Sequence, residues 1–482
     1  MLTQILILLP LALSLITLLL KKERTIRYFV LAGTLVEFGI AVAAFIQYKT
    51  MCHCQLQVTA GWISSLGISL KFGMDGIGLL LVLLTTFLLP IIVLSSFSHS
   101  YNRPAAFYSL VLFMEMALVG VFTAFDGMMF YIFWEMALLP AYFISAVWGG
   151  KDRIRITFKF FIYTFTGSLF MLVALIYLYF RTPLPHAFDF QSLYAVTLTP
   201  AEQSWIFLAF FVAFAIKIPI FPFHTWQPDT YAQTPASGTM LLAGIMLKMG
   251  LFGMIRWMIP ICPHAVQQWG PAAMTLAVTG VVYGSLIAIM QKDMKRLVAY
   301  SSIAHVGLIA AGVFALTIHA MQGAVIQMIS HGINIVGLFI VIDLIEKRTK
   351  TRNIADLGGI ALKAPRLAVF FMIMLLGSIA LPLTNGFIGE FLLLLGIFER
   401  YMAFSAIAGL TIILSAVYML RMYQRTMLGT TNEITEQVTD LTWTEMAPLI
   451  PLVIMVFWIG LFPGLFLDTT LPDVLTIMSY IR

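Results

Sequence analysis

Several ionisable side chains lie inside long apolar stretches of this sequence, or close to their ends. They are Glu115, Glu135, Lys217, Lys248, His305, His331 and Glu390. The set combines carboxylates, amines and imidazoles, all of which can take up and release protons. Burial and a nearby charge both change how tightly such a group holds its proton. The chemistry that these residue types predict is therefore proton transfer without a cofactor.

Retaining charge in an apolar environment has a measurable cost. A charged side chain at the centre of a membrane helix costs roughly 2.5–3.5 kcal/mol on insertion scales, so the glutamates and lysines of this set together cost on the order of 10–15 kcal/mol. Such residues usually face the interior of a helix bundle or a water-filled cavity. The sequence therefore predicts an intramembrane polar pathway.

A structural role is the alternative for each residue taken alone. A buried glutamate–lysine pair can hold helices together, and Glu115 can pair with a neighbouring helix. His305 lies close to the start of its apolar stretch, where an interfacial histidine is equally expected. His331, within QMISHGINI, suits a structural role as well as a relay. Asp75 and Asp126 are interpreted as loop or helix-start residues.

Glu135 and Lys217 are an acid and an amine that could act together. Glu135 lies in FYIFWEMALLP, which otherwise resembles the middle of an apolar helix, and Lys217 lies in AFAIKIPIFPFHTW. A buried amine holds its proton more tightly when a carboxylate is near. A change in the distance between Glu135 and Lys217 would therefore decide whether the lysine keeps its proton.

The composition shows what kind of solvent must surround these residues. The 482-residue chain is 61% hydrophobic and only 10% charged, and its mean hydropathy is +0.96. A soluble domain normally has about a quarter of its residues charged. We therefore expect membrane lipid as the solvent. The net charge is +6, but the basic residues lie in short loops between apolar runs, which argues against a nucleic-acid partner.

The sequence contains no pattern that predicts a cofactor or metal site. Its three cysteines are too few for a disulfide framework or a cluster site. Cys52, His53 and Cys54 are interpreted as ordinary loop residues, because a metal would need more ligands nearby. No glycine-rich dinucleotide fingerprint follows a strand pattern, and no cysteine set suits an iron–sulfur cluster.

The apolar runs predict an all-α polytopic membrane protein. A span needs about 17–25 residues, and about fourteen runs satisfy this length. A backbone in lipid must satisfy its own hydrogen bonds, so the runs are predicted to be helices within one membrane domain, 1–482. The predicted spans are 2–20, 27–47, 76–96, 107–124, 127–148, 159–180, 204–222, 237–258, 271–290, 300–318, 322–345, 366–396, 401–424 and 446–466.

The basic residues predict the orientation of these spans. Lysine and arginine concentrate in alternate loops, for example Lys21, Lys22 and Arg24 after the first span. Cytoplasmic loops carry such an excess. We therefore expect the basic loops on the cytoplasmic side and both termini on the outer side. The first apolar run lacks the charge order and cleavage site of a signal peptide, which predicts a retained helix.

Two spans contain residues that interrupt helices. Pro219 and Pro222 follow Lys217, and proline removes a helical hydrogen bond. Pro382 and glycines precede Glu390 in LPLTNGFIGEF. Interrupted helices at corresponding positions of two halves indicate inverted repeats around a site.

The spacing of the two interruptions predicts two five-helix units. They are 107–258, with spans four to eight, and 271–424, with spans nine to thirteen. The alternative is that proline and glycine are simply frequent in membrane helices.

Several motifs together resemble one known family. They are FYIFWEMALLP, AIKIPIFPFHTWQPDTY, SGTMLLAGIMLKMG, QKDMKRLVAYSSIAHVG, QMISHG and NGFIGEF. In this order they are similar to the antiporter-like subunits of respiratory complex I and to their Mrp-type relatives. The resemblance extends from about residue 75 to 430. It implies fourteen helices that include two inverted five-helix repeats, with spans seven and twelve broken.

The resemblance also implies roles for individual residues. Glu135 matches the family's glutamate on span five, Lys217 its lysine on broken span seven, and Lys248 its central lysine on span eight. His305 and His331 would extend a polar axis toward the residue on span twelve. That residue is commonly lysine in the sister subunits and glutamate in subunit M of NADH-quinone oxidoreductase. Here it is Glu390.

The sequence departs from the family pattern at two places. The family often reads HTWLPDAH, whereas this chain has Gln227, Thr230 and Tyr231 in HTWQPDTY. The missing second histidine puts a proton role at the end of this break in doubt. The usual LPGTSGF reads LPLTNGF here. Neither departure changes the charged residues of the axis.

The resemblance implies a proton-translocating membrane-arm subunit of complex I in the cell inner membrane. Protons would enter from the cytoplasm, be stored on Lys248 and pass toward Glu390. NAD, FMN, iron–sulfur clusters and quinone would be bound by partner subunits, and neighbouring antiporter-like subunits are the expected contacts. The alternatives are an Mrp-type cation/proton antiporter subunit, a membrane-bound hydrogenase subunit, and a membrane scaffold that no longer conducts.

Overall fold

The protein is almost entirely helical in the computed structural model, which describes residues 1–50 and 56–481. The predicted loop residues Cys52, His53 and Cys54 lie outside the described residues. Among the residues that are described, 12 helices are long and apolar enough to cross a membrane. The predicted class, a polytopic helical membrane protein, is confirmed.

The first half of the chain contains ten helices by our numbering of the described residues. They are α1 Leu2–Leu19, α2 Glu23–Thr50, α3 Gly76–Ser96, α4 Pro104–Thr123, α5 Gly127–Trp148, α6 Arg153–Arg181, the short α7 Phe190–Tyr194, α8 Pro200–Lys217, the short α9 Gln227–Gln233 and α10 Ala236–Ile261. Each predicted span up to 237–258 overlaps one of these helices.

The second half continues the helical pattern. Its helices are α11 Pro263–Met290, α12 Met294–Ala315, α13 Ile318–Thr349, the short α14 Ile360–Lys363, α15 Pro365–Ser378, α16 Asn385–Phe398, α17 Met402–Met427, the short α18 Trp443–Met446, α19 Leu449–Leu461 and α20 Gly464–Ser479. The predicted span 366–396 is divided between α15 and α16. The total of fourteen spans stays a prediction, because α8, α15 and α16 are not among the 12 helices that qualify by length and apolarity.

Aspartate side chains begin several of the spans. Asp75 accepts a hydrogen bond from the Gly78 amide at the start of α3, and Asp126 accepts from the Met128 and Met129 amides at the start of α5. The first amides of a helix have no partner within the helix, so an aspartate at this position stabilises the end. The predicted role of Asp75 and Asp126 as helix-start residues is confirmed.

Both predicted interruptions are present. α8 ends at Lys217, and the chain runs without regular helix to the start of α9 at Gln227. The Trp226 indole N–H donates to the Ile216 carbonyl over 2.9 Å, so this freed carbonyl is satisfied inside the protein, as membrane depth requires. The second interruption separates α15 from α16 over residues 379–384.

One feature of α10 has no counterpart in the sequence analysis. Two π-helical segments, Leu242–Met246 and Met254–Met258, lie on either side of Lys248. A π-turn widens the helix by one residue and often occurs at functional sites. The segments make the backbone around the lysine irregular in the most deeply buried part of the bundle.

The all-α prediction implied a link without strands before α3, and this part of it is wrong. The link contains the antiparallel strands β1 Val58–Ile63 and β2 Ile68–Phe72. The strands are joined through Gly67, whose φ of 62° is a left-handed conformation that glycine adopts without strain. The apolar residues of this link were too few to stand out as a strand pattern beside the long helical runs.

The burial of the helices shows where the interior of the bundle lies. The most apolar windows of α10 and α13 are 100% buried, and that of α12 is 94% buried. The corresponding shares for α1 and α2 are 33% and 28%. The helices that carry Lys248, His305 and His331 therefore form the centre, and α1 and α2 lie at the periphery.

Candidate functional site

Lys248 lies at the centre of the bundle and has two partners. Its Nζ donates to the Ala243 carbonyl over 2.7 Å and lies 2.9 Å from Nδ1 of His331. The π-segment explains the first contact. The Leu247 amide donates to Leu242, five residues back, so the Ala243 carbonyl loses its usual helical donor and is free to accept from the lysine.

His331 extends this contact to α12. Its Nε2 lies 3.0 Å from the Ser302 hydroxyl, and the Gln227 amide nitrogen donates to the same hydroxyl over 3.5 Å. A protonated lysine can only donate, so Nδ1 of His331 then accepts and Nε2 carries the hydrogen. Lys248, His331 and Ser302 thus form one continuous hydrogen-bonded chain.

Glu390 and His305 form a second hydrogen-bonded group. Nδ1 of His305 lies 2.8 Å from Oε1 of Glu390, and the Gln327 amide nitrogen donates to the same oxygen over 3.3 Å. His305 is 3% exposed and Glu390 is 1% exposed. The structure therefore does not support an interfacial position for His305, because the ring faces the interior and contacts the span-twelve acid.

A small cavity separates these two groups. His305, Gln327, His331 and Asn334 are among its walls, so several polar atoms converge on it. The ring centroids of His305 and His331 are 6.4 Å apart. The volume open to the centre of a water molecule is about 10 Å³, close to what one buried water requires. One water molecule fits in this cavity and would connect the two imidazoles.

Glu135 and Lys217 are arranged differently. Within the described residues, Nζ of Lys217 and Oε1 of Glu135 have no hydrogen-bond partner. Nζ lies 5.2 Å from the centroid of the Trp134 ring, a distance at which the ring face attracts a cation. The carboxylate and the amine still interact through their charges. The structure brings the two residues into the same region but not into contact.

Aromatic side chains surround the end of α8 where Lys217 lies. The rings of Trp134 and Phe214 are 5.6 Å apart, and Phe130 lies 5.3 Å from Trp257 in the same cluster. These large side chains are buried. Such a wall offers few polar partners, so a proton on Lys217 has no ready acceptor in this conformation.

Glu37, a buried glutamate on α2, was not among the residues that the sequence patterns singled out. It is 0% exposed, and so is Glu115 on α4. The two carboxyls lie within hydrogen-bonding reach of each other. Glu115 therefore meets a neighbouring helix, as the structural alternative for this residue described, although its partner there is another acid. The signal for Glu37 was available, since it is a glutamate inside the predicted span 27–47.

The hairpin between α2 and α3 is attached to the link that contains α7. Nζ of Lys71 lies 3.2 Å from a carboxylate oxygen of Asp189. Burial by itself raises the pKa of Asp189, but hydrogen bonds from Ser192 and Lys71 and the lysine's charge outweigh it and hold that pKa below its ordinary value. These contacts lie outside the helical spans and away from the buried lysines.

The sequence of this chain matches a known family over most of its helical domain. Residues 124–416 match the family described as "NADH:quinone oxidoreductase/Mrp antiporter, TM". The chain belongs to this family. It is 43% identical over 410 residues to the NADH-quinone oxidoreductase subunit M of Rickettsia conorii, which covers 84% of this chain and 83% of that one. The resemblance inferred from the motifs is confirmed.

Solved structures of membrane complexes contain chains with the same fold. A chain of respiratory complex I from Thermus thermophilus matches with a TM-score of 0.92 and 30% identity, and the match covers 100% of both chains. A chain of the Mrp complex from a Dietzia species matches with a TM-score of 0.84 and 19% identity, over 99% of this chain and 52% of that one. The second likeness shows the shared fold alone.

Proposed function

We propose that this chain is a proton-translocating membrane-arm subunit of NADH-quinone oxidoreductase, of the type called subunit M. The observation that carries the proposal is the series of buried contacts from Lys248 through His331 to Ser302, followed by the contact between His305 and Glu390. The sequence relationship to a subunit M supports the same assignment. The chemistry of this chain would be proton transfer.

The contacts support an ordered transfer that starts on α10 and continues into the second half of the chain. Lys248 stores a proton and passes it to Nδ1 of His331, which gives the hydrogen on its Nε2 to a water in the adjoining cavity. A water in the cavity between the imidazoles carries a proton to Nε2 of His305, which has no other partner among the described residues. His305 then gives the hydrogen on Nδ1 to Glu390. Each step moves one proton along a hydrogen bond, so charge and atoms balance.

In the first half, the charge of Glu135 controls whether Lys217 keeps its proton. The two groups interact without touching, so a modest movement of α5 relative to α8 would change the strength of the interaction. Moving one charge against the membrane potential costs about 2.3 kcal/mol per 100 mV. That free energy must come from redox chemistry in neighbouring subunits.

The arrangement of broken helices supports the two inverted repeats, 107–258 and 271–424. In the first, α8 is broken at Lys217, and in the second, α15 and α16 are separated by residues 379–384. Each break is followed by one further long helix of its repeat, α10 or α17. Both termini are proposed to face the outer side of the membrane, because the basic loops would then face the cytoplasm.

The redox cofactors belong to partner subunits in this proposal. NAD, FMN, iron–sulfur clusters and quinone would bind there, and this chain would contact neighbouring antiporter-like subunits in the cell inner membrane. Among the described residues, no group of three or more histidine, cysteine, aspartate or glutamate side chains could hold a metal ion.

Purification of the chain from its native membrane in mild detergent tests the assignment. We expect it to migrate with partners that oxidise NADH and contain iron–sulfur clusters, and inverted membrane vesicles lacking it to lose NADH-driven proton uptake. Migration with small hydrophobic partners alone, together with Na⁺- or K⁺-driven proton exchange, would support an Mrp-type antiporter instead. Reporter fusions at residue 482 would report the side of the C-terminus.

A further inference from the structure

Glu37 and Glu115 form a pair of carboxyls that the proposed proton path does not use. They project from α2 and α4, which pack against each other, and both are 0% exposed. Their carboxyls are within hydrogen-bonding reach of one another. We call these two residues the carboxyl pair.

None of the four carboxyl oxygens of the pair receives a hydrogen bond from another group among the described residues. An ionised carboxylate can only accept hydrogen bonds, so two ionised groups facing each other would have no donor between them. Leaving a buried charge without a partner is costly. A proton on one carboxyl supplies the missing donor and removes the repulsion.

No cation within the described part of the chain offsets the charge of the pair. The charged group that acts on each carboxyl is the other carboxyl. The charged residues inside the spans packed against α2 and α4 are Glu135 on α5 and Lys248 and Arg256 on α10, and none of them is among the groups that act on either carboxyl. A proton is therefore the ligand that suits this site.

We propose that Glu37 and Glu115 form a second proton-binding site, separate from the Lys–His–Glu path, in which the two carboxyls share at least one proton at neutral pH. Shared protons of this kind belong to the pair and not to one residue. The bond O–H···O joins α2 to α4. The inference does not depend on the proposed function, because any member of this fold with these two acids would hold the proton.

The face of α4 that carries Glu115 also contacts α10, the helix of the buried Lys248. Glu115 and Phe122 are seven residues apart and so share one face of the helix. The Phe122 ring contacts the Phe252 ring, with centroids 5.5 Å apart, and Phe252 lies one turn after Lys248. α4 therefore packs against both the peripheral α2 and the central α10.

Infrared difference spectroscopy on the purified, assembled complex tests the proposal. The spectrum of the double variant Glu37→Gln/Glu115→Gln is subtracted from that of the wild type at neutral pH. We expect loss of a carbonyl-stretch band from a protonated carboxylic acid. The matched control is Glu433→Gln, an exposed loop residue, which should remove only the band of an ionised carboxylate.

Loss of carboxylate intensity alone in the double variant would overturn the proposal, since both acids would then be ionised. Glutamine has the shape and the donor of a protonated glutamate, so we expect assembly to be retained. If the double variant assembles poorly, the single variant Glu37→Gln still decides the matter. If the pair shares a proton, the protonated-acid band of the wild type is lost or is replaced by a band of Glu115 alone at a different frequency. An unchanged protonated-acid region would overturn the proposal.

Discussion

Two regions of the protein contain similar ionisable residues but connect them differently. In the region from Lys248 on α10 to Glu390 on α16, hydrogen bonds join Lys248, His331 and Ser302, and also His305 and Glu390. In the region between α5 and α8, no hydrogen bond joins Lys217 to Glu135 among the described residues, and a tryptophan ring faces the amine instead. The same residue types therefore occupy one connected region and one interrupted region.

The comparison indicates that transfer and control are separated in space. A proton can move along existing hydrogen bonds in the connected region, with one water needed between the imidazoles. In the interrupted region it cannot move without a change of side-chain position or the arrival of water. A region of the second kind suits a gate, because its electrostatic interaction responds to distance.

Removing the central amine tests the connected region most severely. Lys248→Ala leaves Nδ1 of His331 and the Ala243 carbonyl without their partner, so we expect NADH-driven proton uptake by inverted vesicles to fall about 10²-fold. The matched control is Lys347→Ala, a partly exposed lysine, which should pump normally. Normal pumping by an assembled Lys248→Ala complex would contradict the relay.

Replacing the last acid of the connected region should have a smaller effect. Glu390→Gln keeps the size of the side chain but cannot take the proton from His305, so we expect proton uptake to fall roughly tenfold, equivalent to about 1.4 kcal/mol. Glu399→Gln, at the exposed end of the same segment, is the control. Equal behaviour of the two variants would remove Glu390 from the path.

The interrupted region is tested by removing the charge that acts on Lys217. Glu135→Gln preserves packing against the aromatic wall, and we expect coupled proton uptake to fall roughly fivefold, about 1 kcal/mol, because the interaction is electrostatic and not a direct contact. The measurement is the ratio of protons taken up to NADH oxidised. An unchanged ratio would show that the carboxylate does not act as a gate.

The smallest effect is expected for the serine that extends the connected region. Ser302→Ala removes the partner of Nε2 of His331, and we expect proton uptake to fall roughly threefold, since one neutral hydrogen bond contributes about 0.5–1.5 kcal/mol. Ser285→Ala is the control, because that buried serine donates to a carbonyl of its own helix. A drop of the same size in both variants would point to helix stability in place of proton transfer.

Local sequence patterns were sufficient for several features of the fold. The apolar runs predicted the helices, the prolines after Lys217 predicted the end of α8, and Asp75 and Asp126 were recognised as helix-start residues. The hairpin β1–β2 was missed, because its short strands lie in a link whose pattern is weak beside the spans. The two π-segments were also missed, since a one-residue widening leaves no periodic signal in an apolar helix.

The sequence by itself determined the solvent, the helical class and the residues able to exchange protons, because hydropathy and side-chain chemistry are local properties. The tertiary structure alone decided which of those residues meet. It joined Lys248 to His331 and Glu390 to His305 while leaving Lys217 apart from Glu135. It also placed Glu37 against Glu115. These contacts depend on how distant helices pack and on a π-turn that frees one carbonyl, and neither leaves a pattern in the sequence of a single span.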